Sequence, residues 1–201
     1  MDHNSELPEL DDDFYRLWRP PDRFLLALGR VVYLMGELDS ILGTILITRL
    51  AGSDTSHISR LVDGESTDWK LQKLKSFIDL EDYQSVNDPG FIVAMEYFRI
   101  RIPTLSGYIT QRNRIIHSKW WLASEEGFVE SWHIKRNRDP IEIMQSVEQI
   151  EQFCGHLERE VPILWMMCDV ITHHRFPNLL GDLEALLEKV RHEQASSDLG
   201  E

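Results

Sequence analysis

Six consecutive residues, Arg112-Asn113-Arg114-Ile115-Ile116-His117, gather an arginine, a primary amide and an imidazole. These are the groups that cutting RNA without a metal calls for. Such a reaction makes the neighbouring 2′-hydroxyl the nucleophile. It needs a base to take the hydroxyl proton and a cation to hold the phosphate as charge builds on it. An imidazole titrates near neutrality, so His117 suits the first task. A guanidinium grips two phosphate oxygens at once, so Arg112 suits the second, with the Asn113 amide orienting the scissile group. DNA lacks the 2′-hydroxyl, so the same groups would cut RNA and leave DNA. A purely structural role competes: Arg112 in a buried ion pair and His117 capping a helix end.

Laid on a helix, Leu105, Tyr108, Ile109, Ile115 and Ile116 form one apolar arc with Arg112 near its centre. A guanidinium there keeps its charge, so it must meet a carboxylate or open onto a cleft or an interface. Glu37 and Asp39, at the margins of an earlier helix's apolar stripe, are the candidate carboxylates. Asn113 and His117 are four residues apart and share a face, whereas Arg112 and His117 point about 140° apart. For those two to cooperate, either the helix ends before His117 or a second copy of the chain completes the pair. The second arrangement is the expected one.

The elements that must position this segment are helical. Phe24, Leu28, Val31, Met35, Leu38 and Leu42 alternate spacings of four and three, which predicts a long amphipathic helix. Gly29, Gly36 and Gly43 recur on its other side, at a cost of about 1 kcal/mol each relative to alanine. Close approach of another helix, from the same chain or a second copy, would offset that cost; chance placement is the alternative. Residues 51–65 read as a polar connector, and Ser66 or Thr67 can cap a short helix buried through Leu71, Leu74 and Phe77. Asn87-Asp88-Pro89-Gly90 breaks the chain before a helix over about 91–120. Residues 120–122 and 128–134 flank a turn-like Ser124-Glu125-Glu126-Gly127 and predict a small β-hairpin. A second long helix carries Val147, Ile150, Cys154, Leu157, Val161 and Leu164 on three-four spacing, with a kink expected at Pro162, and a short helix comes next over about 179–190. Residues 1–20, with Asp11-Asp12-Asp13 at their centre, read as an acidic mobile arm that docks through Phe14, Leu17 and Trp18. The fold proper spans 21–192, and 193–201 form a polar tail.

A chain of 201 residues, 42 % hydrophobic with six Trp and eight Phe, is sized for one domain with a full core. Its net charge of −13 argues against coating nucleic acid over the whole surface. Between Arg99 and Arg138, however, eight basic residues face three acidic ones, a window of +5 against −18 for the remainder. A polyanion would be drawn to that window, where Arg114, Lys119, Lys135 and Arg136 are the candidate substrate contacts. No apolar run looks long enough to span a bilayer, and the acidic first residues do not resemble a secretion signal, so a cytoplasmic location without membrane contact is expected. Cys154 and Cys168 are fourteen residues apart in one helical pattern, which makes them core thiols rather than a disulfide. His173-His174 lack companions at ligand spacing, and no Gly-rich phosphate loop occurs, so neither a metal nor a cofactor is expected. Trp120, Trp121 and Trp132 could stack on unpaired bases, although packing the hairpin onto the helices is the commoner job for such residues.

Arg112-Asn113 and then His117, set between long helices, resemble the Arg-(polar)-x4-6-His motif of the HEPN superfamily. The resemblance covers most of residues 21–190, while the hairpin and the acidic arm lie outside the minimal pattern. It implies an all-α, HEPN-like bundle of long antiparallel helices with a small β-hairpin insertion after the motif helix. It further implies a homodimer in which two copies of the motif meet in one cleft, with Arg112, Asn113 and His117 as the site. Many members are metal-independent endoribonucleases of toxin-antitoxin and phage-defence systems, held in check by an antitoxin or other regulatory protein. Others have lost catalysis and bind a nucleotide, RNA or a protein partner.

Overall fold

The computed structural model describes residues 21–50, 55–80, 83–117, 119–122, 128–133, 141–173 and 180–198, with the strands given by their backbone pairing. In chain order these form α1 (Asp22–Leu50), α2 (Thr55–Asp63), α3 (Thr67–Leu80), a 3-10 turn at Tyr83–Ser85 and α4 (Pro89–His117). Strands β1 (Lys119–Leu122), β2 (Phe128–His133) and β3 (Ile141–Ser146) come next, then α5 (Val147–His173) and α6 (Leu180–Asp198). Among the described residues the hydrophobic core is built from the helices and the Tyr83 turn, so the packing architecture is all-α.

The three-four pattern of α1 becomes its buried stripe, with Val31, Leu38, Ile41, Leu42 and Ile45 all at 0 % exposure. Its partner along its length is α5. The Cys154 thiol donates to the Ala27 carbonyl and the Cys168 thiol to the Ile41 carbonyl, both 127 residues apart in sequence. Arg23 with Glu151, Arg30 with Glu158 and Trp165 with Glu37 are each 128 apart. A constant offset means that the two helices run parallel and in register. Contacts recurring every seven residues are those of a coiled-coil seam. By contrast α4 and α5 are antiparallel, since Tyr97 and Arg101 meet Glu160 while Tyr108 meets Phe153. The expected bundle of antiparallel helices therefore has a parallel pair at its centre, because a third long helix in an up-down-up order must run alongside the first.

Helix α1 is long and apolar enough to cross a membrane by length and composition, contrary to the expectation from scanning the sequence, but half of its most apolar window is buried inside the chain. Its charged residues Arg30, Glu37 and Asp39 each bond to another helix of the same chain. Of its three spaced glycines, only Gly43 faces a neighbour, with Val62 and the Lys70 ammonium 3.8 Å from where a Cβ would stand. At Gly29 and Gly36 a Cβ would meet nothing within 4 Å. Even at Gly43 that distance is ordinary contact, so close approach within the chain accounts for none of the three glycines.

Four segments differ from expectation. Residues 55–63 are helical rather than a plain connector, because Ile58 and Val62 form a short apolar edge that packs on the core. The motif helix stops at His117, three residues early, because Lys119 to Leu122 pair with Trp132 to Val129. The β structure is larger than the expected hairpin: β2 also pairs antiparallel with Ile141–Ser146, giving a three-stranded sheet in the order β1-β2-β3. The last helix continues to Asp198 through residues read as a polar tail. Both internal prolines, Pro103 and Pro162, lie inside continuous helices. At the entry to α5, Ser146 and Gln149 form a reciprocal capping box, the Gln149 N–H donating to Ser146 Oγ at 3.2 Å and the Ser146 N–H to Gln149 Oε1 at 2.9 Å. The arm over 1–20 and the turn at 124–127 lie outside the described residues.

Candidate functional site

The last two turns of α4 carry the motif. Ile109 and Ile115 are buried and Tyr108 and Ile116 half-buried, so the apolar arc faces the core as its spacing requires. The Tyr108 ring stands edge-on to Phe153 of α5 at 5.7 Å, fixing this end of α4 against the bundle. Arg112 is half-buried within that arc, and its guanidinium donates to Asn113 Oδ1 at 2.9 Å.

Neither carboxylate proposed for Arg112 is its partner. Glu37 accepts a 2.8 Å hydrogen bond from the Trp165 indole N–H on α5. Asp39 accepts from the Lys70 ammonium at 2.6 Å and from the Thr67 hydroxyl at 2.9 Å, both on α3. The reason is the direction of α1's margins: Glu37 belongs to the seam with α5, and Asp39 neutralises Lys70, which is only 3 % exposed. A buried ammonium has the stronger claim on a carboxylate than a half-exposed guanidinium.

His117 is the final residue of α4 and is exposed, as are Asn113 and Arg114. Because α4 is continuous through His117, Arg112 and His117 diverge by about 140° and are separated by about 7.5 Å along the axis. One copy of the chain thus brings Asn113 and His117 onto a shared face but leaves Arg112 pointing elsewhere. Lys119 lies on β1, and Lys135 and Arg136 lie outside the described residues.

The basic window is also less basic than its count. Two carboxylates that are not among the candidate residues, Glu96 and Glu160, reach into it. Glu96 accepts from Arg99 at 2.7 and 2.5 Å and from the Tyr83 hydroxyl at 2.8 Å, with Arg191 of α6 at 3.4 Å. The Arg99 hydrogen bond, helped by that of Tyr83, holds the Glu96 carboxyl down to about 2. Glu160 accepts from the Tyr97 hydroxyl and from Arg101 Nε, both at 2.8 Å, and from a second Arg101 nitrogen. Arg99 and Arg101 are therefore structural cations. The available signal was Glu160 itself, a carboxylate on the buried stripe between Leu157 and Leu164, and Glu96 within a run of apolar residues.

Elsewhere, both cysteines are free and buried, and burial pushes the Cys168 thiol up to about 12, so it is an inert packing group. His173 sits 3.5 Å from Asp169 and 2.7 Å from the Thr172 hydroxyl at the end of α5, a local arrangement. Comparison with protein-family models, with curated proteins and with solved structures finds no match for this chain.

Proposed function

We propose that the chain is a homodimeric, HEPN-type endoribonuclease of the cytoplasm, a toxin or defence effector restrained by a regulatory protein. The support is Arg112: a half-buried guanidinium within an apolar arc whose described hydrogen bond goes to an amide, while Glu37 and Asp39 are occupied by other helices. A cation held this way keeps its charge for an incoming phosphate. In the reaction His117 removes the 2′-hydroxyl proton, the 2′-oxygen bonds to phosphorus, and the bond to the 5′-oxygen breaks. A 2′,3′-cyclic phosphate and a 5′-hydroxyl result, the latter taking a proton from the imidazolium or from water. Arg112 stabilises the added charge on the phosphate, and Asn113, bonded to it, fixes its direction. Since α4 is unbroken to His117, the pair is completed by Arg112 of one copy and His117 of the other.

That same continuity favours one alternative, a non-catalytic HEPN-like module that binds nucleotide, RNA or a protein through Arg112 alone. The deciding experiment is cleavage of mixed cellular RNA by the purified chain with and without EDTA, alongside His117→Ala and Arg112→Ala. EDTA-resistant cleavage ending in cyclic phosphate and lost in both folded variants supports the nuclease. No cleavage by a folded wild-type dimer moves the function to the binding module.

A further inference from the structure

One turn before Arg112 on α4, and on the same face, Tyr108 forms part of the wall of a cavity of about 390 Å³ enclosed by α4, α5 and α6. Its floor is the Tyr97–Glu160–Arg101 cluster. Glu160 is 8 % exposed and already accepts three hydrogen bonds, so it offers little to a ligand. Around the opening stand His156 and Arg159 of α5 and Lys189 of α6, with Ile163, Leu186 and Val190 as the apolar lining.

The hydrogen-bonding inventory of this cavity is lopsided. An Arg159 nitrogen lies 3.1 Å from His156 Nδ1, and since a guanidinium only donates, Nδ1 accepts and the ring proton sits on Nε2 as a further donor. Burial pushes the Tyr108 hydroxyl upward, so it too remains protonated and able to donate. Arg159 and Lys189 add charged donors. Three cations face two carboxylates, Glu160 and Glu193, which leaves a net positive cavity in a chain of net charge −13. Such a site selects an anion. The volume lies in the range of small-molecule sites, larger than a bare phosphate needs, and the apolar lining suits an organic body. A nucleic-acid strand leaving it across α6 would meet Glu184 and Glu188, which line the next hollow along that helix.

We infer that this cavity binds a mononucleotide-sized organic phosphate, its phosphate held by Arg159, Lys189 and the His156 Nε2–H, and its body resting on Tyr108, Ile163 and Leu186. The site is separate from the motif and does not depend on the ribonuclease assignment.

Calorimetric titration of the full chain with each 5′-mononucleotide, with the matching nucleosides and with inorganic phosphate tests this. One or more mononucleotides should saturate a single site per chain, at least about tenfold tighter than the nucleoside or phosphate alone. Arg159→Gln and Lys189→Gln, both on exposed side chains, should each weaken binding by about tenfold without shifting the melting temperature. Arg112→Gln should leave it unchanged. Three outcomes overturn the proposal: no saturation by any mononucleotide below ~1 mM, equal affinity for nucleoside and nucleotide, or binding lost in Arg112→Gln and kept in Arg159→Gln and Lys189→Gln.

Discussion

The two halves of α4 use arginine in opposite ways. In the first half, Arg99 and Arg101 are each clasped by a buried carboxylate, Glu96 and Glu160, that also takes a tyrosine hydroxyl. In the second half, Arg112 is half-buried in the apolar arc yet bonds only to a neutral amide among the described residues. The first arrangement cancels charge and ties α4 to α5 and α6. The second preserves charge at the end of a helix where Asn113 and His117 are exposed. One helix thus carries both cations paired with carboxylates and a cation whose described bond is to an amide.

The sharpest way to break this contrast is to remove the motif groups of the second half and, separately, the α5 carboxylate that pairs a cation of the first. His117→Ala and Arg112→Ala are expected to lower RNA cleavage by about 10²- to 10⁴-fold, the usual range for a lost general base or transition-state cation, with melting temperatures unchanged. Glu160→Ala should do the reverse, leaving Arg101 and Tyr97 without their buried acceptor. A loss of about 3 kcal/mol in denaturant unfolding is expected, and a loss below ~1 kcal/mol would show that the cluster is not structural.

Smaller effects refine the picture. Gly36→Ala on the open side of α1 should stabilise the isolated chain by about 1 kcal/mol, because the added methyl meets nothing within 4 Å and helix propensity improves. If a second copy packs on that side, the same change should instead weaken the dimer in sedimentation measurements. Glu96 gives the pH signature. Its carboxyl is held near 2 in the folded chain against an ordinary 4.5, so its contribution is fully present above pH 4.5 and is lost as pH falls toward 2. Thermal melts between pH 5 and pH 2 should therefore flatten in Glu96→Gln relative to wild type.

Much of this was legible in the residues, for identifiable reasons. The α1 and α5 stripes arise from three-four spacing, since burying one helical face leaves no other solution. The arc around Arg112 was readable likewise, and so was the divergence of Arg112 from His117. What pattern could not supply was partnership. Which carboxylate meets which cation depends on the angle and register of whole helices, and Glu37 and Asp39 were near the right helix face but claimed by Trp165 and Lys70. The third strand escaped notice because Ile141-Glu142-Ile143 is short and lies directly before a helix start, where strand and helix patterns overlap.

The parallel register of α1 with α5 also governs how the chain must be made. The α1 residues of that seam, from Arg23 to Ile41, wait for partners 127 or 128 positions later in the sequence. At a synthesis rate of about 5–20 residues per second, the first helix is exposed for roughly 6–25 s before the second begins to leave the ribosome. During that interval the most apolar helix of the molecule has only α2, α3 and α4 to shield it. Pairing so distant in sequence slows the final collapse. Newborn chains should therefore be the form most in need of a chaperone, and truncation ahead of α5 should turn the core helix into an aggregation site.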